Sequence, residues 1–246
     1  MSTTETRIVV MGDNHGNLAD LDTLQAILDF CKDFKPHYRW HLGDNWDFAC
    51  LREAVKKDDR EAAWNVLEED FQAGAEWLAK FRPTHFTPGN HDARVRKHIL
   101  KTDSVTKLEA LNKLQRKMDK AIRQGGVKKM APYIARRSLL NIGPIWGGHG
   151  MGGNALRWAN AMHQGNGTAL VGGHFHIANQ ILLPRYGGGV FWQVGCACQV
   201  EMEYSETNIA SMAHQNSFMA FIVRGEHYIG RQAHRFNGRW EMPFSR

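Results

Sequence analysis

Five times along this chain, a short run rich in apolar residues ends at glycine and is followed at once by Asp, Asn or His. Runs of about four to eight such residues, bounded by glycine, are typical of buried strands. In open α/β sheets, the loops beyond the carboxyl ends of the strands carry the functional groups. The pattern therefore predicts strands that bring polar side chains from distant parts of the sequence to one sheet edge.

The segments between the first runs have the spacing of helices. Leu21, Leu24 and Ile27 recur three positions apart, which is typical of one face of a helix. We expect strands at 7–11, 38–42 and 84–87, and helices from about 18 and over 60–81. Strand and helix then alternate as in a layered α/β fold. After about Arg137 the chain is β-rich, and we expect it to close with a hairpin over 217–236.

The basic residues are concentrated in one segment, 93–140. It holds 14 Lys or Arg and three Asp or Glu, whereas the rest of the chain holds 17 Lys or Arg and 22 Asp or Glu. Apolar residues at helical spacing predict an amphipathic helix over 108–122, with a capping box at Thr106 and Glu109 and a stop at Gly125. We therefore expect a single domain, 1–246, with a basic helical insertion that is a candidate cap. Such charge asymmetry indicates a polyanionic partner, with nucleic acid as one candidate.

The composition, 43% hydrophobic and 23% charged, is that of an ordinary globular protein. The first residues, MSTTETR, lack the apolar stretch of a signal peptide, and no run approaches roughly 18 apolar residues, so we expect no membrane span. The four cysteines, Cys31, Cys50, Cys196 and Cys198, do not have the spacing of a zinc knuckle. We predict free, buried or semi-buried thiols in a cytoplasmic protein.

The polar residues after the five runs have the chemistry of metal ligands. Asp offers a hard oxygen, His a nitrogen and Asn a neutral carbonyl oxygen, a mixture that suits manganese, iron or zinc better than calcium. Two ions about 3.5–4 Å apart, bridged by one carboxylate, form a clamp for phosphoryl chemistry. The candidates in chain order are Asp13, His15, Asp44, Asp47, Asn90, His91, Asp92, His149, His174 and His176.

Each motif alone has an ordinary structural explanation. The Asp-x-His at 13–15 and the Gly-Asp-x-x-Asp at 43–47 are compatible with solvated turns, and a lone His149 with a structural histidine. His174 and His176 are stronger evidence, because residues two apart on a strand face the same side. Together, five such motifs after five strand-like runs favour one functional site over five coincidences.

The ordered set D-x-H, GD-x-x-D, GNHD, GGH and GH-x-H resembles the motifs of the calcineurin-like metallophosphoesterase superfamily, over 8–176. The resemblance implies an α/β fold in which a sandwich of two mixed β-sheets is flanked by helices. The metal ligands that it implies are Asp13, His15 and His176 for a first ion, Asn90, His149 and His174 for a second, and Asp44 as the bridge. The expected cofactors are two divalent ions, with Mn²⁺ favoured and iron, zinc or nickel as alternatives.

The resemblance also implies catalytic residues. His91 would protonate the leaving oxygen or steady the phosphate, and Asp92 would orient His91 by a hydrogen bond. Arg94, Arg96 and Lys97 follow this motif directly, so they are candidates for substrate binding.

Two departures narrow the resemblance. The second motif reads GDNWDF and lacks the Asp-Arg-Gly continuation of protein Ser/Thr phosphatases, which argues against phosphoprotein activity of that type. Asp47 stands where purple acid phosphatases carry a metal-binding Tyr, which argues against a purple charge-transfer site.

We therefore predict a dinuclear-metal-dependent phosphoesterase in which a metal-bound hydroxide attacks phosphorus without a covalent phosphoenzyme. The basic segment favours a phosphodiester or nucleic acid as substrate. Two alternatives stay open: a phosphomonoesterase acting on a small molecule or nucleotide, and a non-catalytic nucleic-acid-binding protein on the same fold. The intact ligand set argues against the second alternative.

Overall fold

The computed structural model describes residues 4–52, 66–133, 138–165, 167–183, 188–200 and 213–244. The helices in these ranges are α1 (Leu21–Phe34), α2 (Leu67–Phe81), α3 (Arg94–Lys101), α4 (Val105–Gln124) and α5 (Ala155–Met162). The strands are β1 (Thr6–Met11), β2 (Tyr38–His41), β3 (His85–Phe86), β4 (Lys129–Met130), β5 (Leu140–Ile142), β6 (Ile145–Gly148), β7 (Ala169–Gly172), β8 (Ala178–Leu182), β9 (Val190–Val194), β10 (Ser217–Arg224), β11 (His227–Phe236) and β12 (Arg239–Glu241).

These strands form two mixed sheets, which confirms the expected fold class. In the larger sheet the strand order is β12-β11-β10-β1-β2-β3-β4, with β1 to β4 parallel and β10 antiparallel to β1. In the smaller sheet the order is β5-β6-β7-β9-β8, with β6, β7 and β9 parallel. Two neighbouring parallel strands need a crossover connection. Helix α1 lies in the connection from β1 to β2, α2 in that from β2 to β3, and α5 in that from β6 to β7.

The two sheets pack face to face around an apolar core. Val10 and Trp40 of the larger sheet share one buried cluster with Val171 of the smaller sheet. Val9 alternates to the opposite face of β1, where it packs in a second cluster with Ile27 of α1. Burying one such side chain contributes roughly 1.5–3 kcal/mol. Both faces of β1 are therefore covered, and this strand anchors the loop that follows it.

The basic segment is packed into the fold along one side of α4. Leu111 and Met118 of α4 lie in one buried cluster with Phe71 of α2. The predicted stop at Gly125 is confirmed. The predicted capping box at Thr106 is wrong, because α4 begins at Val105 and its N-cap is Ser104, whose hydroxyl accepts a hydrogen bond from the backbone N–H of Lys107 at 3.4 Å.

The closing hairpin is confirmed as β10 and β11, which pair from Ser217 with His234 to Arg224 with His227. Of the helix expected over 60–81, residues 60–65 lie outside the described ranges, and the helix is present from Leu67. All four cysteines are free and buried. None of the helices in the described part of the chain combines the length and apolar composition that a membrane span requires.

Candidate metal centre

The polar residues of all five motifs follow strands whose carboxyl ends lie at one edge of the sandwich. The first three motifs follow the parallel strands β1, β2 and β3, and the other two follow the parallel strands β6 and β7 of the second sheet. The backbone joins the loops directly, since the N–H of Asp13 donates to the oxygen of Gly43 at 2.9 Å, and the N–H of His15 donates to the oxygen of Asp44 at 3.0 Å.

The motif loops hold their polar residues in an uncommon backbone conformation. The φ angle is positive, between 48° and 73°, at Asp13, His15, Asp44, His174 and His176. A non-glycine residue in this region costs of order 1–3 kcal/mol, so such residues persist only where the surrounding structure enforces them, often at functional sites. Five of them in one place indicate that the loops are built for the placement of these side chains.

Glycine is required where the loops pass two of the carboxylates. A side chain at Gly89 would collide with the carboxylate of Asp44, and one at Gly173 would collide with that of Asp13. The glycines in these motifs therefore allow close approach of the backbone.

One group of donor atoms surrounds His176. Its Nε2 atom lies 3.2 Å from Nε2 of His15 and 3.5 Å from Oδ1 of Asp13. Its Nδ1 atom lies 3.9 Å from the thiol of Cys198. Ligand atoms of His15, His176 and Cys198 lie within 4.8 Å of one another. Cys198 belongs to none of the five motifs, so its proximity to the site depends on the fold and has no local sequence signal.

A second group of donor atoms surrounds His149. Its Nε2 atom lies 3.0 Å from both Oδ2 of Asp44 and Oδ1 of Asn90. Its Nδ1 atom lies 2.9 Å from the carbonyl oxygen of Leu42, which can only accept a hydrogen bond. That contact keeps the proton on Nδ1 and leaves Nε2 available as a ligand. Ligand atoms of Asp44, His149 and His174 lie within 4.8 Å of one another.

Asp47 is the carboxylate that contacts His91. Oδ1 of Asp47 lies 2.8 Å from Nδ1 of His91 and 3.1 Å from Nδ1 of His15. One carboxylate thus orients two imidazoles and leaves the Nε2 atom of each ring facing the site. The spacing of the Gly-Asp-x-x-Asp motif placed Asp47 in a loop at the site, but no sequence signal paired it with His91.

The prediction that Asp92 orients His91 by accepting a hydrogen bond from it is wrong. The Asp92 carboxylate instead accepts hydrogen bonds from the backbone N–H groups of Gly89 at 2.8 Å, Asn45 at 3.0 Å and Trp46 at 3.3 Å. Buried N–H groups need an acceptor, and this side chain supplies one to three of them. Asp92 therefore stabilises the loops that carry the ligands rather than the imidazole.

The site concentrates negative charge away from water. Asp13, Asp44 and Asp47 are at most 2% exposed. Burial would raise the pKa of Asp44, but the neighbouring His149 and His91 hold it well below its usual value. Burial would likewise lower the pKa of His149, but Asp44 raises it to about 9. Buried carboxylates need compensating cations, which protonated histidines or metal ions can supply. The donor set and its charge therefore fit divalent metal ions.

The three basic residues that follow the third motif lie at different distances from the site. Arg94 reaches it, with Nη2 2.9 Å from Nε2 of His91. Lys97 is exposed and lies over the ring of Tyr133, 5.4 Å from the ring centroid. Tyr133 lines a small pocket, partly open to solvent, together with the two ligand candidates Asn90 and His149. Arg96 is exposed on α3.

Comparison with known proteins gives a family and a set of similar folds. The family model of calcineurin-like phosphoesterases matches residues 6–178. Wild-type Vps29 of Entamoeba histolytica in complex with Zn²⁺ is 14% identical over 96% of each chain, with a TM-score of 0.49. A metallophosphoesterase of Sphaerobacter thermophilus is 16% identical over 88% of this chain and 83% of its own, with a TM-score of 0.43. YfcE, a phosphoesterase of E. coli, is 13% identical over 92% and 98%, with a TM-score of 0.40.

A search of curated proteins gave no match. The family model spans more than half of the chain, and all five motifs begin within it. This chain belongs to the calcineurin-like phosphoesterase family.

Proposed function

We propose that this protein is a metal-dependent phosphoesterase that holds two divalent ions and prefers a phosphodiester. The observation that carries the proposal is the position of Asp44. Its carboxylate lies within 4.8 Å of a ligand atom of His15, which is proposed for the first ion, and within 4.8 Å of ligand atoms of His149 and His174, which are proposed for the second. A carboxylate shared by two donor groups has the geometry of a bridge between two ions.

The proposed assignment of ligands is the one that the resemblance to the family implies. In this proposal Asp44 serves both ions, and the remaining ligands are Asp13, His15 and His176 for the first ion and Asn90, His149 and His174 for the second. When bound, the two ions lower the pKa of water and neutralise phosphate oxygens. Mn²⁺ is the favoured ion, because it accepts oxygen and nitrogen donors together.

His91 is the residue proposed to handle the proton of the leaving group. Its Nε2 atom lies 3.8 Å from Oδ2 of Asp44, and its Nδ1 atom is held by Asp47. Burial lowers the pKa of His91 to about 4, and Arg94 donates to its Nε2 atom in this structure. The general-acid role therefore requires a substrate that displaces Arg94 from Nε2 and whose negative charge, together with that of Asp47, favours the imidazole with both protons, so that Nε2 can give one to the leaving oxygen. Arg94 lies beside the same Nε2 atom and can neutralise a phosphate oxygen there.

The choice between substrate classes depends on two features. Arg94 begins α3, and the basic segment continues from it, which favours a phosphodiester or polynucleotide that extends beyond the site. A small pocket lies beside Asn90 and His149, and a compact substrate held there would fit the alternative, a phosphomonoesterase acting on a small molecule or nucleotide. A non-catalytic nucleic-acid-binding role is the remaining alternative, and the complete ligand set argues against it.

The test uses protein that has been stripped of metal with a chelator and reloaded with Mn²⁺, Fe²⁺, Zn²⁺ or Ni²⁺. We expect bis-p-nitrophenyl phosphate to be hydrolysed faster than p-nitrophenyl phosphate, with Mn²⁺ giving the highest rate. Faster hydrolysis of the monoester would favour the alternative substrate class. Hydrolysis of neither ester with any of the four metals would contradict the proposed function.

A further inference from the structure

His214 belongs to none of the five motifs, yet it lies against the proposed metal centre. Its ring centroid is 4.7 Å from that of His176, with an angle of 57° between the rings. His176 contacts His15 at 5.1 Å, and His15 contacts His91 at 4.6 Å. Each imidazole contacts the next, so a series of ring contacts links His91 to His214.

The backbone on either side of this contact is held in place. The N–H of Gln215 donates to the carbonyl oxygen of His176 at 2.8 Å, and the carbonyl oxygen of Gln215 accepts from the N–H of Cys196 at 3.0 Å. The side-chain amide of Asn216 donates to the oxygen of Cys198 at 2.7 Å. Because these bonds pin 215 and 216 to the loops of the site, the position of His214 is a feature of the fold.

One polar atom of His214 has no partner among the described residues. The Nδ1 atom is buried and makes no hydrogen bond there, although the side chain as a whole is partly exposed. An unsatisfied buried polar atom costs about 1–3 kcal/mol, and such atoms are rare in native proteins. The groups of ligand atoms found within 4.8 Å in the described ranges include His176 but not His214. The imidazole is therefore positioned beside the proposed ions rather than among their ligands.

We propose that His214 is a substrate-binding residue that contacts the ester arm retained on phosphorus when a phosphodiester is cleaved. The inference rests on the proposed function. With the leaving oxygen at His91, the retained arm would leave the metal centre on the side of His176, where the partly exposed His214 lies. A neutral imidazole carries one N–H and a protonated one carries two, so His214 can donate to an oxygen of that arm. A phosphomonoester has no such arm, so His214 makes the site selective for diesters.

The test compares two substrates that share the leaving group p-nitrophenol and differ in the retained arm, namely thymidine 5′-(p-nitrophenyl phosphate) and p-nitrophenyl phosphate. We expect His214→Ala to lower kcat/KM about tenfold for the diester, the effect of about 1.4 kcal/mol. The loss for the monoester should be markedly smaller, and the metal content should be unchanged. His214→Gln keeps an N–H donor and should restore most of the diester activity. His227→Ala, at an exposed histidine where β11 begins, is the matched control and should behave as the wild type.

Three results would overturn the inference while leaving the proposed function intact. They are equal losses of activity on both esters, loss of bound metal in His214→Ala, and unchanged diester activity in that variant. Wild-type protein that hydrolyses neither ester would overturn the proposed function and the inference together.

Discussion

The Oδ1 atom of Asp47 lies 2.8 Å from the Nδ1 atom of His91, in a site where both side chains are largely shielded from water. Burial would raise the pKa of Asp47, but hydrogen bonds from His15 and His91 lower it below its usual value. Asp47 therefore stays ionised and can hold an imidazole in one orientation. In the proposed mechanism, this pair determines which nitrogen of His91 faces the substrate.

Replacing Asp47 by Asn should lower turnover by about 10–100-fold, the usual effect of removing a carboxylate behind a functional histidine. Asn has nearly the same shape as Asp, so the loss of turnover measures the effect of removing the negative charge. Asp92→Asn is the comparison variant. Because Asp92 accepts hydrogen bonds from backbone N–H groups, this substitution should lower the thermal stability of the protein. If Asp47→Asn kept full turnover, the orienting role would be wrong.

The His91→Ala variant separates proton transfer from metal binding. We expect turnover to fall by about 10²–10⁴, the range for a general acid, with nearly unchanged metal content. His149→Ala and His174→Ala should lose metal and activity together. The loss in His91→Ala should shrink for substrates with a very good leaving group, which needs little protonation. Equal losses for good and poor leaving groups would exclude the general-acid role.

Gly89→Ala tests whether the loop geometry controls the proposed bridging carboxylate. The new methyl group would collide with the side chain and the backbone nitrogen of Asp44, and backbone cannot move aside cheaply. We expect reduced metal content and activity. Gly153→Ala is the matched control, because a Cβ there meets open space. Wild-type metal content in Gly89→Ala would show that Asp44 need not occupy its present position.

The charge on α4 is tested with Arg116, Lys120 and Arg123, which are exposed. Lys117 is left intact, because it pairs with Glu68 at 2.9 Å and lies over the ring of Phe71. Replacing the three exposed residues by Gln should raise KM for a polynucleotide and spare a small nitrophenyl ester. The salt dependence of binding should become shallower, since fewer phosphates are neutralised. If the unmodified protein bound neither DNA nor RNA at about 50 mM salt, the nucleic-acid version of the proposal would be wrong.

Local sequence patterns were enough to predict the elements that carry the site. The run 7–11 became β1, and the polar residues after five strands lie at one edge, because parallel strands end together. Helix α5 was missed, because residues 155–162 lie in a segment dominated by strand and turn signals. The short strand β12 was also missed, since it is three residues long and exists through pairing with β11.

The partners of the site residues were harder to predict than the residues themselves. Asp47 and His91 lie 44 positions apart in the sequence. Which of Asp47 and Asp92 is the partner of His91 therefore depends on how two distant loops meet in three dimensions. Asp92 follows His91 directly, but its side chain is drawn to the backbone N–H groups of the facing loop. His214 has no motif at all, and it reaches His176 through pairing of backbone groups. Such contacts depend on tertiary packing, which a single sequence does not encode locally.

The central claim is that one carboxylate, Asp44, serves two metal ions, and metal analysis of Asp44→Asn after reloading with Mn²⁺ tests it most directly. We expect two ions per wild-type chain and weakened binding of both ions in the variant, with turnover lost in parallel. It would be contradicted by an Asp44→Asn protein that retains two tightly bound ions and normal turnover.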